Sequence, residues 1–191
     1  MSYEIPTQID ILGTQFPIRN RGDYRTVLNC FEIMQDNELT SQEQVICALI
    51  VFYEDIDCVE DLDNLLDIEI AIKEMFKFFN CGQDESPGYQ SKHKLIDWEQ
   101  DSQLVCSAIN NVAHTEIRSL PYLHWWTFMG YYLSVGESPL STIVGIRSKI
   151  AKGKKLEKFE RDFKRENPQY FTDTKKLKED KELLESMWNI E

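Results

Sequence analysis

The chain has 191 residues, 42% of them apolar, and its ten Phe, eight Tyr and four Trp supply a globular core and exclude a disordered chain. Its 33 acidic against 21 basic side chains leave a net charge of -12, which disfavours sequence-independent binding to a nucleic-acid backbone. The longest uninterrupted apolar run, 45–53, is nine residues and too short to span a bilayer, and no basic-then-apolar leader opens the chain, so it reads as cytosolic.

Residues 3–19 read as extended, with Ile5, Ile9, Ile11, Phe16 and Ile18 alternating around a Gly13 turn. A two-stranded hairpin is marginal alone, so it is expected to lie on helices. From about Gly22 the apolar period becomes helical through Tyr24, Val27, Leu28 and Phe31, and a helix is expected to about Asp36. Ser41 with Gln44, or Thr40 with Glu43, makes a capping box that opens a buried helix over 45–53. An acidic connection follows, then a helix expected over 59–80 with Leu62, Leu65, Leu66, Ile72, Met75, Phe76 and Phe79 on one face and Gly82 at its end.

Residues 82–94 read as a loop, and Leu104, Val105, Ala108, Ile109 and Val112 form a stripe on a helix over about 97–112. Pro121 is expected to open an all-round apolar central helix containing Trp125, Trp126, Phe128 and Leu133. Ser138-Pro139 starts another, with Leu140, Ile143, Val144 and Ile150 inward, and Leu156, Phe159 and Phe163 continue in a charged helix that stops at Asn167-Pro168. The fold class is therefore mainly α: a helical domain over 1–171 with a short N-terminal β-hairpin, and a C-terminal amphipathic helical arm over 172–191.

Chemistry is sparse. His93, His114 and His124 are the only histidines, and no pair has the spacing of a zinc helix. Cys30, Cys47, Cys58, Cys81 and Cys106 form no C-x-x-C pair, and an odd number within apolar runs points to a reducing compartment. A calcium loop counted from Asp55 fails at Val59, Glu60 and Leu66, so the acidic cluster reads as a charged helix N-terminus. Phosphate-binding glycine loops and nucleophile elbows are absent from the sequence, so no catalytic residue, cofactor or metal is expected and the chain reads as a non-enzyme. The Trp125-Trp126 pair admits a stacking platform, but core packing is the better reading.

Charge is unevenly placed. Residues 1–110 hold 21 acids against 7 bases, whereas 147–165 hold nine bases against three acids. Such polarity allows head-to-tail self-association or an acidic partner. In the arm, Leu177, Leu183, Leu184, Met187 and Trp188 make a narrow apolar seam after a proline break and are the candidate protein-binding residues.

Leu123-His124-Trp125-Trp126-Thr127-Phe128-Met129, with Asp97-Trp98-Glu99-Gln100-Asp101 upstream and Ile143-Val144-Gly145-Ile146-Arg147-Ser148 downstream, resembles the bacteriophage family named after gene product fifteen. The resemblance covers roughly 8–171 and implies a tail assembly chaperone-like protein. Such a protein would bind the tape measure protein, keep it soluble in the host cytoplasm and recruit tail tube subunits. The alternative is a structural tail component retained in the virion. No nucleic-acid or membrane partner is implied, and a homo-oligomer is possible.

Deleting 172–191 is expected to leave a folded domain, measured by circular dichroism and thermal unfolding, while weakening its binding to the tape measure protein or to itself. A truncated chain that is unfolded or insoluble would place the arm in the core instead.

Overall fold

The computed structural model describes residues 4–84 and 95–171. The fold is mainly α, with seven α-helices among the described residues and a two-stranded antiparallel hairpin near the N-terminus. The chain gathers into two compact units. The described residues within Met1–Ser91 and Cys106–Val135 make the first, and those within Lys92–Val105 and Gly136–Glu191 the second.

In the first unit, β1 (Gln8–Ile11) pairs with β2 (Thr14–Pro17), with Ile11 opposite Thr14. The two-residue loop needs positive φ at both positions, and Leu12 and Gly13 adopt 53° and 86° while Asp10 Oδ1 accepts the Gly13 N–H. Ile9 and Ile11 are buried, and β1 packs on a helix, as an isolated hairpin must.

Helix α1 (Tyr24–Ile33) starts at Asp23, whose carboxylate accepts the Arg25 N–H. Helix α2 (Ser41–Phe52) begins with the Thr40–Glu43 capping box. Its last carbonyls meet a cation: Arg19 Nη2 donates to the Ile50, Tyr53 and Ile56 oxygens and to Asp57 Oδ1, at 2.8–3.3 Å.

The helix expected over 59–80 is instead two pieces. A 3-10 stretch covers Val59–Leu65, Leu66 turns left-handed with φ 62°, and α3 runs Ile68–Phe79. Asp67 is the physical reason, because its carboxylate accepts the Ile70 N–H as N-cap, a stronger role for Asp than a mid-helix position. Leu66, expected inward, is 57% exposed, while Phe78 joins Phe79 and Met75 in the core. Helix α3 ends with Gly82 N–H on the Lys77 carbonyl and Cys81 N–H on that of Phe78, the paired bonds of a Schellman turn.

Helix α4 (Ser102–Ala113) spans the junction of the two units. Helix α5 (Trp125–Leu133) starts four residues after Pro121, because His124 Nδ1 caps it by accepting the Trp126 N–H. It is not apolar-buried all round. Trp125 and Phe128 are buried, Trp126 is partly exposed, and Leu133 is 75% exposed.

In the second unit, α6 (Pro139–Ala151) is capped by Ser138 and buries Leu140, Ile143 and Ile146. Ile150, expected inward, is 42% exposed on the last turn of α6, although Ile146 one turn earlier on the same face is buried. Helix α7 (Lys158–Glu166) stops before Pro168 as the proline requires. Its buried position goes to Glu160, which bonds Lys149 and the Glu157 N–H, so the preceding Phe159 is turned outward.

The aromatic core of the first unit is continuous. Trp125 lies 5.5 Å from Phe128 and 5.6 Å from Phe31, Phe128 stacks on Tyr24 at 4.7 Å, and Phe52 meets Phe78 and Phe79 at 5.4 Å. Truncating Trp125 to Ala should cost about 3–5 kcal/mol in urea unfolding. Trp126→Phe should cost only about 1 kcal/mol, since the Phe78 carbonyl it bonds also accepts the Cys81 N–H.

Candidate interaction surfaces

The four residues Leu123, His124, Trp125 and Trp126 each make a bond to a distant part of the first unit. Leu123 exchanges backbone contacts with α1: its N–H donates to Asp23 Oδ2 and its carbonyl accepts from Tyr24, both at 2.9 Å. His124 Nδ1 is occupied by the Trp126 N–H, so Nε2 carries the proton and donates to the Pro6 carbonyl at 2.9 Å. The Trp125 and Trp126 indoles donate to the Phe79 and Phe78 carbonyls at 2.9 Å, on the last turn of α3, where helix oxygens lack intrahelical donors.

The pair is therefore core and helix clamp, with no exposed ring faces side by side for stacking. Gly22 sits against the same cluster with φ 76°, where a Cβ would lie 2.8 Å from Phe78 and 3.1 Å from His124 Nε2.

The second unit has its own polar centre. Arg147 donates from Nη1 and Nη2 to both oxygens of Asp101 at 2.5 and 3.0 Å, from Nη1 to Leu95, and from Nε and Nη2 to Tyr170. All five N–H donors are used. Asp101 is fully buried and also accepts the Asp97 N–H, while Asp97 caps the turn by accepting from Glu99 and Gln100. Sequence reasoning picked out these motifs but not that the Leu-His-Trp-Trp segment ties together the first unit and the Asp101–Arg147 pair the second.

Groups with chemical potential are otherwise muted. Burial pushes the Cys30 thiol up to about 12. Cys58 is exposed, and its hydrogen bonds to Asp61 and Glu60 also raise its thiol. Among the described residues, no group of three or more His, Cys, Asp or Glu is placed to hold a metal ion, and no helix is long and apolar enough to cross a membrane.

What the surface offers is apolar side chains among charges. Ile72 and Phe76, one turn apart on α3, floor a groove of about 410 Å³ rimmed by Glu69, Lys73, Lys77 and Asp84. Lys77 lies 3.4 Å from Asp84. A second, shallower groove of about 400 Å³ follows the break at Leu66, between Asp63 and Glu69. In the second unit, Ile150 and Phe159 are exposed at either end of a basic connection. The arm residues Leu177, Leu183, Leu184, Met187 and Trp188, and His93 in the 82–94 loop, lie outside the described residues.

The family model described as bacteriophage Gp15 protein matches residues 1–172. No curated protein and no solved structure matches the chain.

His124 gives the fold a pH dependence. Burial is the largest influence and lowers its pKa from 6.5, against the Pro6 hydrogen bond and the Asp23 charge. A depressed pKa means the unfolded chain binds the proton more readily. Stability is therefore full above about 6.5 and falls as pH drops below that value. Melting temperature measured from about pH 7.5 to about pH 5.5 should fall for the wild type. The fall should be shallower for His124→Asn, which keeps a cap acceptor without the titration.

Proposed function

The chain belongs to the bacteriophage Gp15 protein family, a family of phage structural and assembly proteins, and from that premise we propose that it is a tail assembly chaperone. In this reading it acts in the host cytoplasm before the particle is complete. It binds the tape measure protein, keeps that long apolar-striped helix soluble, and helps bring tail tube subunits to it.

The observation that carries the reading is the α3 groove. Ile72 and Phe76 form an apolar floor at helical spacing, and the rim alternates Glu69 and Asp84 with Lys73 and Lys77. An amphipathic helix laid in such a groove would bury its apolar stripe on the floor and find both signs of charge along the rim. The net charge of -12 keeps the loaded complex soluble. The arm seam of Leu177, Leu183, Leu184, Met187 and Trp188 is proposed as a second contact with the same partner.

Co-expression with the tape measure protein tests this. Wild-type chain should carry the tape measure protein into the soluble fraction, and Ile72→Glu should reduce the recovered complex roughly tenfold, with unchanged circular dichroism as the fold control. Equal recovery with the folded variant would remove the groove from the binding site. Mass spectrometry of purified particles separates the roles: a chaperone is absent or sub-stoichiometric, whereas a fixed copy number would make the protein a retained tail component.

A further inference from the structure

Two further exposed surfaces carry opposite charges, and of their residues only Glu69 also lines the α3 groove. The first is the connection between α6 and α7. Lys152, Lys154, Lys155 and Lys158 are exposed there and have no ion-pair partner among the described residues, although Lys149 and Arg165 nearby do. Ile150 is 42% exposed and Phe159 64% exposed at its two ends.

This corner is held rather than loose. Gly153, at φ 63°, turns the chain out of α6, with Gly153 N–H on the Ile150 carbonyl and Lys154 N–H on that of Lys149. The Lys149–Glu160 contact at 2.6 Å then clamps the end of α6 to the start of α7. Ile150 and Phe159 are chain neighbours of that ion pair, and both stay exposed on a stretch rich in lysine.

The second surface lies over 54–69, which holds eight acids and no base. Some of these carboxylates work inside the fold, Asp57 with Arg19, Asp61 on the Cys58 N–H and Asp67 as a cap. Glu60 and Asp63 face solvent, next to the exposed Val59, Leu66 and Ile68. Leu66 is the telling residue. A positive φ at a non-glycine residue costs on the order of 1–3 kcal/mol, and here the leucine side chain is still 57% exposed. Leu66 lines the shallow groove with Asp63 and Ile68.

We propose that these surfaces are the two halves of one contact, so that copies of this chain associate head to tail. The basic corner of one copy seats Phe159 and Ile150 in the acidic groove at Leu66 of the next. The occupant is argued from charge complementarity: a basic stretch with exposed apolar side chains and an acidic apolar groove are carried by the same chain. A contact between unlike patches is heterologous, so each copy keeps one free half and the assembly grows into a ring or a short filament. This inference uses the purified chain alone and stands or falls without the tape measure protein.

Sedimentation of the full-length chain tests it, and salt gives the sign. Molecules of net charge -12 repel one another, so non-specific association would strengthen with salt, whereas a contact between opposite patches weakens. Oligomers present at about 50 mM salt should dissociate by about 500 mM. Lys154→Glu with Lys155→Glu should weaken association roughly tenfold or more, and Glu60→Lys with Asp63→Lys equally. All four positions are exposed, so both variants should fold, and circular dichroism checks that they do. Mixing the two variants pairs one intact corner with one intact groove and sets the reversed corner against the oppositely reversed groove, so association lost by each variant alone should return in the mixture. A wild-type chain that is monomeric at low salt, or oligomers that survive both charge reversals, would overturn the proposal.

Discussion

The first unit depends on a single four-residue segment, 123–126, whose polar groups all point at other parts of the unit. Through it the N-terminal segment at Pro6, the start of α1 at Asp23 and the end of α3 at Phe78 and Phe79 are fixed to one another. Each bond answers a need that burial creates. The Phe79 carbonyl lies inside, where an unmet acceptor costs about 1–3 kcal/mol, and the Trp125 indole meets it, while the Trp126 indole adds a second donor to Phe78 beside the Cys81 N–H. The indoles bring their own area of apolar ring, so a single side chain both satisfies the polar end of a helix and fills the space beside it. His124 does the same for the N-terminal segment while capping its own helix.

The second unit reaches the same end by charge. A buried carboxylate is tolerated only when its lone pairs are met, and Asp101 is met by a two-pronged guanidinium and a backbone N–H. Arg147 in turn gathers the carbonyls of Leu95 and Tyr170, which ties the start and the end of the unit to α6. Removing either member would strand the other, so the pair specifies the arrangement more than it adds net stability. All three segments that carry the family resemblance are thus used inside the fold.

Legibility from sequence followed locality. The hairpin, the Thr40–Glu43 box, the Ser138 cap and the stop before Pro168 were readable, because each is decided by residues within one turn of one another. Where reading failed, a polar side chain had overruled an apolar period. Asp67 took a cap position and broke 59–80 in two, His124 moved the start of α5 past Pro121, and Glu160 claimed the buried place that Phe159 seemed to need. The junction of the two units was hidden for another reason: it falls inside α4, where no Gly, Pro or change of period marks it. Of the candidate site, the arm lies outside the described residues, and the grooves could not be foreseen, since both rest on which face of a helix is left uncovered.

These two polar centres also bear on where function can reside. His124 has both ring nitrogens committed and a lowered pKa, Arg147 has every donor engaged, and Asp101 has no access to solvent. None is placed to take a proton from a substrate or to grip an anion without dismantling its unit. A signature built from such residues identifies a fold and says nothing directly about a site. What remains exposed is of another kind: Ile72 and Phe76 in a mixed-charge groove, Leu66 in a strained turn among acids, Phe159 among lysines. Apolar groups left in water beside charges are costly to keep and have no use in acid–base chemistry, but they are what a reversible protein contact is made of. The polar residues secure the fold, and the exposed apolar ones are the side chains on which the proposed contacts rest.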